Sequence, residues 1–536
     1  MLEHLPILSL ITFSPLIGIL ILLFIPGQKG KAIRWVAIAT TILTLLFSAW
    51  LYIGFDNSSS GMQFNEEVKF LEIPLNSELI APPGTASIDY AYEFKYIMGV
   101  DGLSLALVFL TAFVSLMAAL ASVYIKKRWK TFYILFLLLE IGILGVFFAR
   151  DLILFFIFFE ITLIPMFFLI GIWGFNDRER AANKFIIYNG VGSAIMLIAI
   201  LILINTAGFY YVEGSELVGD ILRYTSDTSV ITDNLFDPQS IVNLEGTIFH
   251  LNDVMKSFIF IMLLIAFGIK LPIFPFHTWM LKVHIEAPPS IVMIHSGLLL
   301  KMGAYGLIRF GVILFPEQAK EWAFVLAILG IINILYGAIL AFVQNEFRLI
   351  LAYSSISHMG IVLLGIAAFN EAGMQGAIYQ LVSHGLISAL MFLIVGSIYE
   401  RTQTTQLDEL GGLAKSIPFI SGILLIAGMA SLGLPGLSGF ISEFLAFVGL
   451  FETMPVVTVV GTLGIVLTAV YVLRGVLKIT FGSLPVQYTK MNEARLIEAV
   501  PMIALVTFIL LLGIYPAVLI DPMQETILSI ITKMGG

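Results

Sequence analysis

Apolar runs long enough to cross roughly 30 Å of hydrocarbon recur from one end of this chain to the other. The run LPILSLITFSPLIGILILLFIP at residues 5–26 is the first of them. Only 12% of the residues are charged and 59% are apolar, whereas a soluble domain covers its surface with roughly 25% charge. The chain therefore reads as an all-α polytopic membrane protein. Residues 1–26 lack a basic leading segment and are long enough to be a span, so they are not expected to be a cleaved signal peptide. With no cysteine among the 536 residues, cysteine-ligated iron–sulfur clusters and thiolate zinc sites are excluded. Neither GxGxxG nor GxxxxGK[ST] occurs, which removes the usual nucleotide sites.

Fourteen spans are expected, centred near residues 16, 43, 111, 140, 161, 196, 267, 301, 331, 359, 386, 431, 467 and 508. Charge gives an independent check. Basic residues cluster in alternate loops: Lys29, Lys31 and Arg34; then Lys126, Lys127, Arg128 and Lys130; then Arg178, Arg180 and Lys184. Arg348, Arg401, Lys415, Lys490 and Arg495 continue the pattern, while the acidic stretches 55–98 and 209–255 fall on the other side. The positive-inside rule then puts both termini outside, which needs an even number of spans. The net charge of −8 comes largely from the outer loops and carries no signal for nucleic acid.

Two spans are interrupted alike. The seventh reads FGIKLPIFPFHTW, with Pro272 and Pro275 inside it, and the twelfth reads SLGLPGLSGFISEF, with Pro435 among glycines. A proline within a helix removes one backbone hydrogen bond, and lipid tolerates the break only where protein or a watery cavity satisfies the freed groups. Paired breaks five spans apart are the mark of an internal repeat with a site between its halves. Ordinary proline kinks are the competing reading, and the ionisable residue at each break, Lys270 and Glu443, argues against it.

A charge at the bilayer centre costs at least about 2.5–3.5 kcal/mol, so buried ionisable groups are functional candidates by default. Glu160, Lys270, Lys301, His358, His384 and Glu443 each sit inside an apolar span, and Glu140 is a secondary candidate. They stand singly on different helices and alternate between acid and base, as a proton relay requires. A contact between Glu160 and Lys270 would hold the lysine charged; displacing the carboxylate would release its proton. Each residue also has a plainer reading. Glu160, Lys270, Lys301 and Glu443 could each pair statically with another span and fix packing, and His358 and His384 could be core histidines bonded to nearby serines or axial haem ligands. Lys282, His284 and Glu286 are expected in a basic-side loop, solvated, and Asp101 is expected to cap the helix that follows it.

These same stretches carry a family resemblance. GVDGLSLALVFLTAF at 99–113, DLILFFIFFEITLIPMFFLIGIWG at 151–174, FGIKLPIFPFHTWMLKVHIEAP at 267–288, GLLLKMGAYGLIRF at 297–310, LAYSSISHMG at 351–360, LVSHGL at 381–386 and GLPGLSGFISEF at 433–444 resemble the antiporter-like membrane subunits of respiratory complex I. The match is to the M-type subunit, called chain 4 in mitochondria, and covers nearly the whole chain. It implies 14 helices with two inverted five-helix repeats: residues 126–315 (spans four to eight) and 316–482 (spans nine to thirteen). Residues 1–125 hold the first three spans with an acidic outer loop, and 483–536 the last span and a short C-terminus. It also implies roles: Glu160 and Lys270 as a modulating ion pair, Lys301 as a connecting lysine, His358 and His384 as carriers, and Glu443 as the terminal group. The sister L- and N-type subunits usually place a lysine at that last position. About 16 residues are expected after the last span, short of the membrane-parallel arm of the L-type. The chain departs from the family pattern at Met280, Leu281 and Lys282, where Leu-Pro-Asp or Leu-Pro-Lys is usual, and in the length of 209–255.

The expected function is therefore a proton-translocating subunit of a bacterial NADH:quinone oxidoreductase, multi-pass in the inner (plasma) membrane. It would carry no cofactor or metal itself. NADH, FMN, iron–sulfur clusters and quinone would belong to partner subunits, with L-type and N-type subunits as membrane neighbours. The rivals are a subunit of a multisubunit cation/proton antiporter, a membrane-bound hydrogenase subunit and a structural spacer. No nucleophile–base constellation suggests an independent active site.

Overall fold

The computed structural model describes residues 5–75, 90–212, 221–247 and 249–533. Among them, twelve helices are long and apolar enough to cross a membrane. They include α1 (Ile7–Phe24), α2 (Gly30–Gly54), α3 (Gly102–Ala121) and α4 (Trp129–Phe148). The fifth, Leu152–Trp173, is divided at Thr162 into α5 (Leu152–Ile161) and α6 (Leu163–Trp173), an interruption beside Glu160 where Pro165, lacking an N–H, cannot bond the Ile161 carbonyl. Next comes α7 (Arg178–Ala207), followed by the short α8 (Thr228–Phe236). The two expected spans that fall short by this measure are the seventh and the twelfth. Each is split: α9 (Asp253–Lys270) with α10 (Thr278–Glu286), and α17 (Pro418–Ser431) with α18 (Ser438–Thr453).

Between them, the span Pro289–Val312 is not a uniform α-helix. α11 (Pro289–Ile294) runs into a π-helical turn at His295–Leu299, then α12 (Leu300–Gly306), then a second π-helical turn at Leu307–Val312. Such turns are rare and concentrate at functional sites; here they flank Lys301. After α13 (Pro316–Glu321) follow α14 (Ala323–Val343), α15 (Phe347–Ala367) and the 32-residue α16 (Glu371–Thr402). The remaining helices are α19 (Pro455–Thr480), α20 (Leu496–Ile514) and α21 (Ala517–Lys533).

The burial pattern sorts these helices. In α16 and in Pro289–Val312 the most apolar window is wholly buried, whereas in α2, α7 and α19 no more than 39% is. The central helices have only protein around them, and the peripheral ones present residues such as Leu46, Ile198 and Leu463 outward.

Each break satisfies the backbone groups it frees, but by different means. At the first, Asn333 of α14 takes both loose ends: its Oδ1 accepts from the Phe274 N–H at 2.8 Å, and its Nδ2 donates to the Pro272 carbonyl at 3.4 Å. The Trp279 indole N–H reaches back to the Ile269 carbonyl at 3.0 Å. At the second, Gly433 and Gly436 adopt φ of +75° and +91°, which only glycine tolerates readily. The Leu434 N–H returns to the Met429 carbonyl at 3.1 Å. The backbone of α20 then covers the turn so closely that a Cβ on Gly513 would lie 2.3 Å from the Gly436 carbonyl oxygen.

The two long acidic stretches come together as one sheet of β1 (Gln63–Leu75), β2 (Tyr90–Val100), β3 (Phe209–Val212) and β4 (Ile221–Thr225), ordered β1-β2-β4-β3. The β2–β4 pairing is parallel, and the other two are antiparallel. Helices α1 and α21 are tied to its edges. The Glu66 carboxylate accepts the Leu8 N–H at 2.7 Å at the start of α1, and Thr526 of α21 accepts the Gly102 N–H at 3.1 Å. That α21 is a folded helix closing over the start of α3 is something the short-tail expectation did not include. Asp101 does cap α3, as expected, through the Ser104 N–H at 3.0 Å, and it also pairs with Arg309 at 2.7 Å.

On the sheet, Glu93 is surrounded by Lys69, Lys95 and the Tyr210 hydroxyl. Burial alone would raise this carboxyl; the Lys69 and Tyr210 hydrogen bonds and the lysine charges outweigh it and hold it below the ordinary carboxylate range. A depressed folded value means the stabilisation is complete above the unfolded glutamate value, about 4.3, and is lost as pH falls through the folded one. Amide exchange in β2, corrected for intrinsic rate, is therefore expected to stay slow at neutral pH and to accelerate in that acidic range. Protection that did not change there would show that the cluster contributes nothing. Replacing Asn333 by leucine is expected to strand the Phe274 N–H and the Pro272 carbonyl at about 1–3 kcal/mol each. A thermal midpoint equal to that of the unaltered protein would refute this account of the break.

Candidate functional site

The site is a row of buried polar side chains contributed by α5, α9, α12, α15, α16 and α18. Lys270 ends α9 at the first break and is 1% exposed. Among the described residues its Nζ has no hydrogen-bond partner. It is held instead over aromatic faces, 4.7 Å from the Phe159 ring centroid and 5.8 Å from that of Phe185. Glu160, one residue beyond Phe159, has a buried Oε1 that is likewise unpartnered. The two charges act on each other without approaching to an ion pair. The direct contact expected between Glu160 and Lys270 is therefore replaced by a looser arrangement, with both charges poised and neither clamped.

Lys301 is fully buried, and its contacts are short. Its Nζ donates to the Ser296 carbonyl at 2.6 Å and shares a 2.7 Å hydrogen bond with His384 Nδ1. The π-helical turn makes the first of these possible: it moves the Ser296 carbonyl out of the i→i+4 ladder, where a side chain five residues on can reach it. The His384 and His358 ring centroids are 5.5 Å apart. His358 Nδ1 is 3.4 Å from Glu443 Oε1 and 3.2 Å from Gln380 Nε2, and its Nε2 is 3.5 Å from the Ser431 hydroxyl. Four of the expected residues, Lys301, His384, His358 and Glu443, thus form one connected series across four helices.

Three of these residues, His384, His358 and Glu443, line a small cavity whose wall also includes Ser354, Ser383, Ser388 and Phe392. Hydroxyls and imidazoles spaced this way offer the two to four partners a buried water needs. Gln380 ties the wall together, accepting a hydrogen bond from Ser442 while its amide nitrogen faces His358. Glycine is again required nearby: a Cβ on Gly433 would meet Glu443 Oε2 at 2.8 Å.

Glu140 is not brought into the row. It lies mid-helix on α4 with both carboxylate oxygens buried and unpartnered among the described residues. The sequence reading also misplaced Lys282, His284 and Glu286. They lie in α10, the second half of the broken span, where His284 and Glu286 are buried and Lys282, half-buried, pairs with Asp177 at 3.7 Å. Glu286 accepts the Asp177 N–H at 2.8 Å. His284 is fully buried, with its Nε2 3.0 Å from Nδ1 of His295, a residue not singled out from the sequence. His277, also passed over, contacts the Tyr336 hydroxyl at 3.2 Å. A signal for His284 and His295 existed in the pair Pro288-Pro289, which can only stand at a helix start. It makes α10 and α11 consecutive helices that turn back on each other.

Among the described residues, no group of three or more His, Cys, Asp or Glu side chains could hold a metal. The arrangement suits passing protons between neighbouring groups from Lys301 to Glu443.

Residues 149–468 match the family model described as NADH:quinone oxidoreductase/Mrp antiporter, transmembrane. The chain is 36% identical over 547 residues to NAD(P)H-quinone oxidoreductase chain 4 of Prochlorococcus marinus (strain NATL2A), covering 99% of this chain and 93% of that one. It is 35% identical over 521 residues to NADH-quinone oxidoreductase subunit M of Rhodobacter capsulatus, covering 96% and 94%. Among solved structures, a chain of respiratory complex I from Thermus thermophilus with bound NADH superposes with a TM-score of 0.80 at 28% identity, over 99% of this chain and 100% of that one.

Proposed function

This chain belongs to the NADH:quinone oxidoreductase/Mrp antiporter family as an M-type (chain 4) membrane subunit of NADH:quinone oxidoreductase, and on that premise we propose how it translocates protons. The observation that carries the proposal is the row Lys301–His384–His358–Glu443, hydrogen-bonded at its first step, paired at its last, and with the two imidazole rings 5.5 Å apart between them. Lys270 receives the driving signal. A charge rearrangement in a neighbouring membrane subunit displaces Glu160, changes the field at Lys270, and sends a proton through Lys301 and the two histidines to Glu443. The unclamped state of Glu160 and Lys270 supports this, because a field can move a free charge more readily than one locked in a salt bridge.

The breaks at spans seven and twelve support two inverted repeats, residues 126–315 and 316–482, with the relay running between them. Counting each split span once gives the fourteen crossings. Protons load from the side bearing Lys126–Lys130 and Arg178–Lys184 and leave on the side of the sheet, the side we assign to both termini. That orientation follows from the basic loops. L-type and N-type antiporter-like subunits are the proposed membrane neighbours. NADH, FMN, iron–sulfur clusters and quinone are assigned to partner subunits; for the clusters, this chain supplies no cysteine ligands. The family model also embraces Mrp antiporters, so cation/proton exchange is the reading to separate from this one.

The test is NADH-driven acidification of inverted membrane vesicles, with Lys270→Ala compared against the unaltered complex at matched assembly and electron-transfer rate. Fewer protons per electron are expected. An unchanged ratio would reduce the chain to a spacer, and sodium-dependent exchange without a redox substrate would favour the antiporter.

A further inference from the structure

A relay that hands its proton from Lys301 toward Glu443 is short-circuited if Lys301 can also exchange directly with water on the sheet side. The span Pro289–Val312 points along such a path. Lys301, Tyr305 and Arg309 stand four residues apart on it, the spacing of neighbours along a helix face. Arg309 is therefore roughly 12 Å nearer the sheet side than Lys301. There it lines a pocket of about 340 Å³, where one water needs only roughly 10–15 Å³. The pocket wall runs from the exposed Ser60 and Gly61 down to Arg309 and to Asp101 and Phe310, both buried.

Two features separate this pocket from the relay. The first is a layer of buried rings: Phe310 packs 4.6 Å from Phe155 and 6.3 Å from Phe267, which are themselves 6.1 Å apart. Each lies on the sheet side of a relay residue in its own span, Phe155 before Glu160, Phe267 before Lys270 and Phe310 beyond Lys301. The second is the Arg309 guanidinium, which pairs with Asp101 at 2.7 Å and donates through Nε to the Tyr305 hydroxyl at 3.3 Å. That hydroxyl donates in turn to the Phe147 carbonyl at 3.1 Å, so its proton is engaged by backbone. The Asp101 carboxylate is fully used as well, since Oδ1 accepts the Ser104 N–H at 3.0 Å and the Ser104 hydroxyl at 2.9 Å. The other charges on the pocket wall are Arg150, which donates to Asn65 at 2.9 Å, and the exposed Asp233.

Resting on the relay read above, we propose that Arg309 is a barrier residue whose fixed positive charge keeps protons in the sheet-side pocket from reaching Lys301. Arginine carries a permanent charge, and a positive charge at the neck of a watery route excludes protons and other cations. The rings of Phe155, Phe267 and Phe310 leave the neck little room for water, so the guanidinium acts where screening is weak. By pairing with Asp101, Arg309 also occupies the one buried carboxylate in the pocket wall, where an arriving proton could otherwise be held beside Tyr305. Arg309 takes up no proton and passes none. It gives transfer its direction by closing the return path, which leaves Glu443 as the outlet.

The test uses the intact complex in vesicles without NADH and follows the decay of an imposed pH gradient. Arg309→Gln is expected to collapse the gradient several times faster than the unaltered complex, and adding Lys301→Met is expected to restore the native rate. Asp101→Asn, which keeps the arginine charge, is expected to stay tight. An assembled Arg309→Gln complex that stays tight overturns the barrier. So does an equal leak in Asp101→Asn, which would assign the seal to the packing of the ion pair. A leak that survives Lys301→Met runs elsewhere and overturns it too. Should Arg309→Gln fail to assemble, Arg309→Gln combined with Asp101→Asn leaves no unpaired carboxylate and decides by the same rate. Lys270→Ala with NADH separates the two readings. Fewer protons per electron there, with Arg309→Gln tight, overturns the barrier and leaves the relay standing; a native ratio overturns both.

Discussion

Lys301 is a fully buried amine, and its described partners are a backbone carbonyl and an imidazole nitrogen, with no carboxylate among them. Water would solvate an ammonium with three donors, and a low-dielectric interior must replace that solvation or let the proton go. The local architecture follows from meeting this demand only in part. The π-helical turn before Lys301 supplies one acceptor, and α16 must pass close enough to supply the other. The most apolar stretch of α16 is wholly buried. Adding a carboxylate would trap the proton; removing the histidine would leave the amine unsolvated. The observed pairing lies between these extremes, where small changes in field decide occupancy.

The two breaks are of one kind in sequence and of two kinds in structure. Asn333 plugs the first with a side chain, while the second is closed by its own glycines and the backbone of α20. The difference suits their positions in the relay. Around Lys270 the aromatic walls of Phe159 and Phe185 leave the amine without polar contacts. Around Glu443 the close-packed turn leaves the carboxylate open toward His358 and the serine-lined cavity. An apolar-walled end that responds to charge and a polar-lined end that exchanges protons are different tasks.

Much of this was legible in the sequence, because membrane burial makes every polar residue conspicuous. Lys301, His358, His384 and Glu443 stood out against apolar flanks, and they form a series. Prolines marked the first break, and proline with glycines marked the second. Partner geometry was not legible. Nothing in the spacing of Glu160 and Lys270 says that Phe159 takes the place against the lysine that a carboxylate was expected to fill. His284 and His295 were hidden for a different reason. With Lys282 and Glu286 beside it, His284 looked like part of a solvated loop, and only folding at Pro288-Pro289 shows that one face of α10 turns inward. The outer sheet was illegible as well, since its pairing joins segments more than a hundred residues apart.

The dispersal of the relay over six helices constrains how it can be driven. A rigid-body shift large enough to connect all six groups would have to break the close backbone packing at Gly513 and Gly436, where there is no free space. Electrostatics needs no such motion. Two unit charges about 6 Å apart interact by about 3 kcal/mol at an effective dielectric near 20, roughly a hundredfold in any protonation equilibrium between them. Moving one charge by a side-chain rotation is thus enough to change the occupancy of its neighbour. The histidines then change the occupancy of the next group by the same means. The close packing of the bundle is what makes this effective, because it excludes the water that would otherwise screen each step.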